Sequence, residues 1–487
     1  MPPTLSKQVF NGTMWYVGMR WAIRLLGVIS SAFLARLLMP EDFGLVALVM
    51  VIYGFISLFF DFGVNWALIQ NKNATNGHFD TAWTVRLIQS LVVAVLLVIF
   101  APWIASFYND TSLVLICQII AAATLVRGFE NIGTIKLQKE LQFSKDFKYN
   151  VLPKALSTCT TIALAYYFKS FLALVIGLVF SNVIIVIASY YMVSYRPQLS
   201  LGKLGEIWGF SKWILIRSIA RFINGQGDIL VLSLLTTPIK IGYYRWASEL
   251  SSMTVTEIQQ PFSRALAPSL VQLKGDNDRL LSAYYRALSM MTLVCVPAAL
   301  GFGAIAEELI PIFLGGGDKW LPVVPIIQGL VFLSMFSSMF GISMSLLTIS
   351  ENVKYTAYAN WLQVVFTLVT LYPAYLIWEI EGIAYSRALI GLVMFIIYSA
   401  LVVKKCSVKT NELAKIVKRP VIAGVLMYIL LMNISSYTAI DGWQLLAIKC
   451  CIGVLFYTST VLLLWLISGK EETGEAEIIG YLHHKFF

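Results

Sequence analysis

Apolar runs longer than about eighteen residues recur from one end of the chain to the other, separated by short polar breaks. Roughly twenty residues at 1.5 Å each cross the hydrocarbon of a bilayer as a helix, so each run is long enough to span. A membrane β-strand would instead need about ten residues of alternating polarity. Composition agrees with the helical reading. Of 487 residues, 58% are hydrophobic and 13% charged, against about a quarter charged in a soluble domain. The sequence predicts an all-α polytopic membrane protein with about fourteen helices. They fall near 12–38, 43–69, 80–107, 112–136, 148–168, 170–195, 207–235, 241–268, 280–310, 321–349, 355–378, 382–403, 420–439 and 443–467.

Loop charges orient such a chain. With the amino terminus in the cytoplasm, about nineteen basic residues fall on inside segments against three (Lys169, Lys240, Lys319) outside, Arg36 being arguable. An even number of helices then places both termini inside. The segment 404–419, KKCSVKTNELAKIVKR, reads as a basic connection held near the anionic inner leaflet. Five of the six cysteines sit in apolar runs and none forms C-x-x-C, so no disulfide framework is expected. No basic tail suggests a nucleic-acid partner. The first apolar run is too long, and carries arginines, for a cleavable signal peptide.

That first run, Trp15 to Gly44, holds Arg20 and Arg24 one helical turn apart on one face, near mid-membrane. An arginine at that depth costs about 2.5–3.5 kcal/mol on insertion scales, so the face must line water, a partner or an anionic ligand. The pattern returns 198 positions later: Trp15 falls on Trp213, Leu34 on Leu232, Pro40 on Pro238 and Gly44 on Gly242, with Arg217 and Arg221 one residue out of register. Ala82-Trp83-Thr84-Val85-Arg86 similarly corresponds to Ala283-Tyr284-Tyr285-Arg286. The chain therefore divides into two six-helix lobes, 1–200 and 201–405, as parallel repeats about an axis along the membrane normal. Residues 406–487 add the basic connection, two helices and a cytoplasmic tail, and 196–203 link the lobes.

Arg20, Arg24, Arg217 and Arg221 are the candidate substrate-binding residues, since guanidinium forks bind phosphate and carboxylate bidentately; permanent salt bridges are the alternative. Asp228 returns to the face of Arg221 seven residues on. Asp61, Asp228, Glu249 and Glu257 are candidates for carrying a coupling proton or cation. Arg127 with Glu130, and Arg245 with Glu249, have the spacing of local pairs. Arg86 and Arg286 lie about one turn inside the cytoplasmic end, where long side chains snorkel. Pro261 is expected to kink its helix. Trp103, Phe107, Tyr108, Trp320, Tyr372, Trp378 and Trp443 fall where interfacial rings anchor helices. The chain has three histidines, all outside the expected helices, and neither a nucleophile elbow nor zinc-ligand spacing. No catalytic centre, metal or cofactor is expected.

Three stretches carry a resemblance: Leu34 to Gln70 (LARLLMPEDFGLVALVMVIYGFISLFFDFGVNWALIQ), Phe79 to Leu87 (FDTAWTVRL) and Phe143 to Asn150 (FSKDFKYN). In these the chain resembles bacterial polysaccharide exporters, the lipid-linked oligosaccharide flippases of the Wzx and colanic or teichuronic acid exporter type, in the MATE-like superfamily. The resemblance implies a two-lobed bundle in the bacterial inner membrane that alternates between inward- and outward-open forms. It implies ion-coupled transport of an undecaprenyl-pyrophosphate-linked oligosaccharide, with membrane lipids, and a glycan polymerase and export machinery, as partners. No substrate motif travels with the family, so the site residues rest on the charge argument. The rival expectations are a cation-coupled drug exporter of the same superfamily, whose cavity should be acidic, and a membrane glycan polymerase or ligase, which would need a long external loop.

Overall fold

The computed structural model describes residues 5–60, 68, 74–139, 142–208, 211–273, 275–315, 317–434 and 442–468, and these contain helices and no strand. The chain is an all-α membrane protein. Among the described residues nine helices are long and apolar enough to cross a bilayer. One of the nine, Val353–Cys406, is two helices joined at a bend where Trp378 and Glu379 leave helical geometry and Glu379 adopts φ 50°. Helices at Phe143–Phe168, Ser211–Leu235 and Pro238–Gln272 have spanning length but more polar sequences, and Ser112–Gly128 is apolar but shorter. Each helix expected from the sequence thus has a counterpart.

The chain forms two compact units, Met1–Gly242 and Tyr243–Phe487. The first contains α1 (Leu5–Leu37), α2 (Pro40–Phe60), α3 (Asn76–Tyr108), α4 (Ser112–Gly128), α5 (Phe143–Phe168), α6 (Leu172–Met192), α7 (Ser211–Leu235) and the first turn of α8 (Pro238–Gln272). α1 packs on α5, α3 on α4, α4 and α5 on α6, and α2 on α7. Pro40 opens α2, where a missing N–H costs nothing. Asp42 accepts hydrogen bonds from the Met39 N–H at 2.8 Å and the Phe171 N–H at 2.7 Å, tying that helix start to the α5–α6 turn. Leu34, Leu38, Ala165 and Ala173 form an apolar cluster beside it, with Phe43 packed against them.

At this end the two copies of the Pro-x-x-x-Gly signature meet. A Cβ on Gly44 would lie 1.7 Å from the Pro238 carbonyl oxygen, and a Cβ on Gly242 would lie 2.0 Å from that of Pro40. Only glycine permits so close a backbone approach.

The second unit contains the rest of α8, then α9 (Asn277–Ala304), α10 (Val323–Ile349), α11 and α12 on either side of the bend in Val353–Cys406, α13 (Thr410–Ile434) and α14 (Gly442–Ile467). In their most apolar windows α9 is 61% and α10 56% buried, against 17% for α14, so α9 and α10 are central and α14 peripheral. The Ser334 hydroxyl joins α10 to α8 by donating to the Ser251 carbonyl at 3.0 Å.

Three expectations change. The helix expected over 280–310 ends at Ala304, and a separate short helix, Ala306–Leu314, follows. Most of the segment read as a basic connection is helical from Thr410. Trp320 is fully buried, with its ring 5.5 Å from that of Trp246, rather than anchored at an interface. Trp103, Phe107, Tyr372, Trp378 and Trp443 are exposed, as interfacial rings require.

Candidate functional site

The Phe79 to Leu87 stretch has two tasks, one on each side of α3. On one side it fastens the 193–206 linker. Tyr195 donates its hydroxyl to Asp80, the Gln198 N–H donates to Asp80 Oδ1 at 2.9 Å, the Lys203 N–H to Thr81 Oγ1 at 3.2 Å and the Ser200 N–H to Thr84 Oγ1 at 2.9 Å. Phe79 packs against the Tyr195 ring, and the Lys136 ammonium sits 4.4 Å from that ring's centre. Burial, then the bond to Asp80, push the Tyr195 phenol above its ordinary pKa and keep it a donor. His78, in the capping box of α3, accepts the Thr75 N–H on Nδ1 at 3.2 Å. That assigns its proton to Nε2, which faces Glu206 Oε2 at 2.9 Å. The Glu206 carboxyl lies below its ordinary pKa, first through the hydrogen bond from Lys203 and then through that from His78.

On the other side of α3 lies a cavity of about 340 Å³ walled by α2, α3 and α4. Its charged wall is built around Glu130, which is buried. Arg86 Nη1 lies 3.3 Å and Arg127 Nε 3.0 Å from Glu130 Oε2, and Tyr149 donates its hydroxyl to Oε1. The i, i+3 pair expected between Arg127 and Glu130 is therefore present. Arg86, read from sequence as a snorkelling residue, instead turns inward: its carboxylate partner lies across the helix packing rather than along its own helix. Gly128 permits this closeness, since a Cβ there would meet Ser90 Oγ at 1.9 Å.

The residues singled out from sequence occupy varied settings. Arg20 and Arg24 are half-buried on α1, within the membrane span Val17–Leu37. Arg221 is exposed on α7, whereas Asp228 is buried and accepts the Ile229 N–H at 3.1 Å. Their seven-residue spacing thus does not give them one environment. The side chain of Arg217, and Asp61 altogether, lie outside the described residues. Glu249 faces Arg245 at 3.8 Å, the local pair expected, and Glu257 is half-buried.

Three buried cations among the described residues were not singled out. Lys449, 1% exposed on α14, pairs with Glu308 in the short helix after α9. Arg387 is buried on α12, with Nη1 3.3 Å from Thr367 Oγ1 on α11. Arg419, counted from sequence among loop charges, is buried in α13. A cation within an apolar run was the available signal for Lys449 and Arg387.

Comparison with known proteins gives the family. TuaB, a teichuronic acid biosynthesis protein of Bacillus subtilis, is 23% identical over 462 residues, covering 93% of this chain and 95% of its own. WzxC, a lipopolysaccharide biosynthesis protein of Escherichia coli, is 24% identical over 339 residues, 69% of this chain and 68% of its own. Among solved structures, the lipid II flippase MurJ in an inward closed conformation superposes with a TM-score of 0.72 at 13% identity, covering 93% of this chain and 98% of its own. An inward-facing multidrug resistance MATE family transporter of the MOP superfamily gives 0.58 at 15% identity, over 86% and 96%. At these identities the structures speak for the fold. The family model for polysaccharide biosynthesis proteins matches residues 33–325, and the chain belongs to that family.

Proposed function

We propose that the protein is a flippase. It moves an undecaprenyl-pyrophosphate-linked oligosaccharide repeat unit across the bacterial cytoplasmic membrane by alternating access, driven by an ion gradient. The observation that carries this reading is the position of Arg20 and Arg24, half-buried within an apolar span of a polysaccharide biosynthesis family protein. Guanidiniums at that depth are costly unless an anion or water meets them. A pyrophosphate or acidic sugar is an anion that guanidinium forks take bidentately, and that contact offsets the loss of its hydration. The printed names of the relatives, which concern teichuronic acid and lipopolysaccharide, support a glycan as cargo.

In this reading Arg20, Arg24, Arg217 and Arg221 hold the anionic head group while the polyprenyl tail stays in lipid. Asp61, Asp228, Glu249 and Glu257 are the carboxylates to test for ion coupling. Asp228 comes first because it is buried in α7, and intramembrane carboxylates mark ion pathways. The repeats at 1–200 and 201–405 act as the two moving lobes, with 406–487 appended and both termini in the cytoplasm. A glycan polymerase receives the cargo outside. The protein itself carries out no chemical step. A drug exporter for organic cations would need acidic walls, and two guanidiniums against one carboxylate in the first unit's cavity argue against it.

The test is complementation of an export-deficient host. Arg24→Ala and Arg221→Ala should each abolish surface glycan while the protein still accumulates in the membrane. Normal export in both variants would remove the assignment of these arginines. Failure of the wild-type protein to move a lipid-linked saccharide in proteoliposomes would remove the function.

A further inference from the structure

We propose that the cavity between α2, α3 and α4 is a binding site for one acidic sugar residue, a hydroxylated ring bearing a carboxylate or phosphate oxyanion. Only the idea that such a sugar arrives as part of a lipid-linked cargo rests on the flippase reading; the site itself stands on four observations.

The first is charge. Arg86 and Arg127 both face Glu130, so the described wall carries one more positive than negative group. Arg127 engages Glu130 through Nε and remains 44% exposed. This presents the two-pronged Nη edge of its guanidinium to a second oxyanion. The second is unmet hydrogen bonding. Ser57 Oγ on α2 and Gln89 Nε2 on α3 are buried and have no hydrogen-bond partner among the described residues, and both residues line this cavity. A buried polar atom without a partner is a standing penalty, which a ligand relieves once a side-chain rotation turns that atom into the cavity. A sugar hydroxyl both donates and accepts, so neighbouring ring hydroxyls can satisfy an amide N–H and a serine oxygen together.

The third is size. At about 340 Å³ the cavity sits at the lower end of the roughly 300–1,000 Å³ typical of small-molecule pockets, which suits one ring rather than a repeat unit. The fourth is the built-in competitor. Glu130 holds both guanidiniums when no ligand is present and must share them when one arrives. The resident anion therefore keeps binding reversible, which a transported cargo requires.

The experiment uses the full-length protein in nanodiscs and isothermal titration with four probes: glucuronate, glucose 1-phosphate, inorganic phosphate and glucose. Glucuronate or glucose 1-phosphate should bind at least tenfold more tightly than glucose and than inorganic phosphate, and the tighter of the two identifies the oxyanion. Arg127→Gln should weaken that binding at least tenfold. Gln89→Leu, which leaves the Glu130 cluster intact, should weaken it about threefold to tenfold while inorganic phosphate binding stays unchanged. The site is overturned if glucose binds as well as the acidic sugars, if neither acidic sugar binds, or if a folded Gln89→Leu variant binds like wild type. Acidic-sugar binding in a protein that moves no lipid-linked saccharide would leave the site standing and remove the flippase reading alone.

Discussion

Gly44 and Gly242, the same position in two copies of one sequence signature, lie against each other backbone to backbone. Each sits where a Cβ would strike the carbonyl of the proline four residues before the other. The contact is reciprocal, each proline carbonyl facing the other copy's glycine. It leaves no flexible side chain to give way, because the opposing atoms are main chain.

Gly44→Ala should therefore destabilise the protein by about 1–3 kcal/mol, the range for overpacking a filled site. Gly242→Ala should do the same. The two losses should be less than additive in the double variant, since the first alanine already forces the helices apart. Thermal unfolding of the purified single and double variants checks all three values.

Removing the carboxylate of Glu130 would leave Arg86 and Arg127 facing each other without their shared counter-charge. Glu130→Leu should cost about 3–5 kcal/mol, as for breaking a buried ion pair from one side. Glu130→Gln, which keeps an acceptor for Tyr149, should cost less. A Glu130→Leu/Arg86→Met double variant should recover part of the loss. Denaturation midpoints in one detergent rank the series.

Lys449 and Glu308 form a deeply buried pair, at 1% and 7% side-chain exposure. Lys449→Met strands a buried carboxylate and should lower stability by about 3–5 kcal/mol, whereas Lys449→Met with Glu308→Gln should lie closer to wild type. A double-mutant thermal-shift cycle isolates the coupling, and additive losses would contradict it.

Acid should loosen the 193–206 linker. Hydrogen bonds from Lys203 and then His78 hold the Glu206 carboxyl below its ordinary pKa. A depressed folded-state value means the carboxylate's contribution is complete above the ordinary glutamate pKa and fades as pH falls through the folded one. After correction for the intrinsic rate, amide exchange at Ser200 and Lys203, whose N–H groups bond Thr84 and Thr81, should accelerate below that range. Glu206→Gln should show the faster exchange already at neutral pH and respond less to acid.

Hydropathy made the helices legible because each must pair its backbone internally and present apolar side chains over a fixed thickness. The Arg127–Glu130 pair was legible because the two residues stand three positions apart across a helix end. Its other partners were not: Arg86 lies 44 and Tyr149 19 residues from Glu130 in sequence, and only helix packing brings them together. Arg86 also sits at a depth from which a long side chain reaches either outward to the interface or inward to a carboxylate, so its sequence position did not settle which. Trp320 was misread for a related reason. A tryptophan at the edge of an apolar run suits an interface or a core equally, and its neighbours Tyr243 and Trp246 come from a different helix. The register between Gly44 and Gly242 was visible as an offset of 198; that the two touch was not.

The linker fastened along α3 has one more consequence. A cord tied at Asp80, Thr81, Thr84 and His78 has no slack over those residues, so it conveys displacement instead of absorbing it. Any tilt of α3 drags the bonded segment 195–206 with it, and the wall carrying Arg86 tilts too, being the opposite side of the same rod. The state of the cavity and the position of that segment are thereby geared together by one helix.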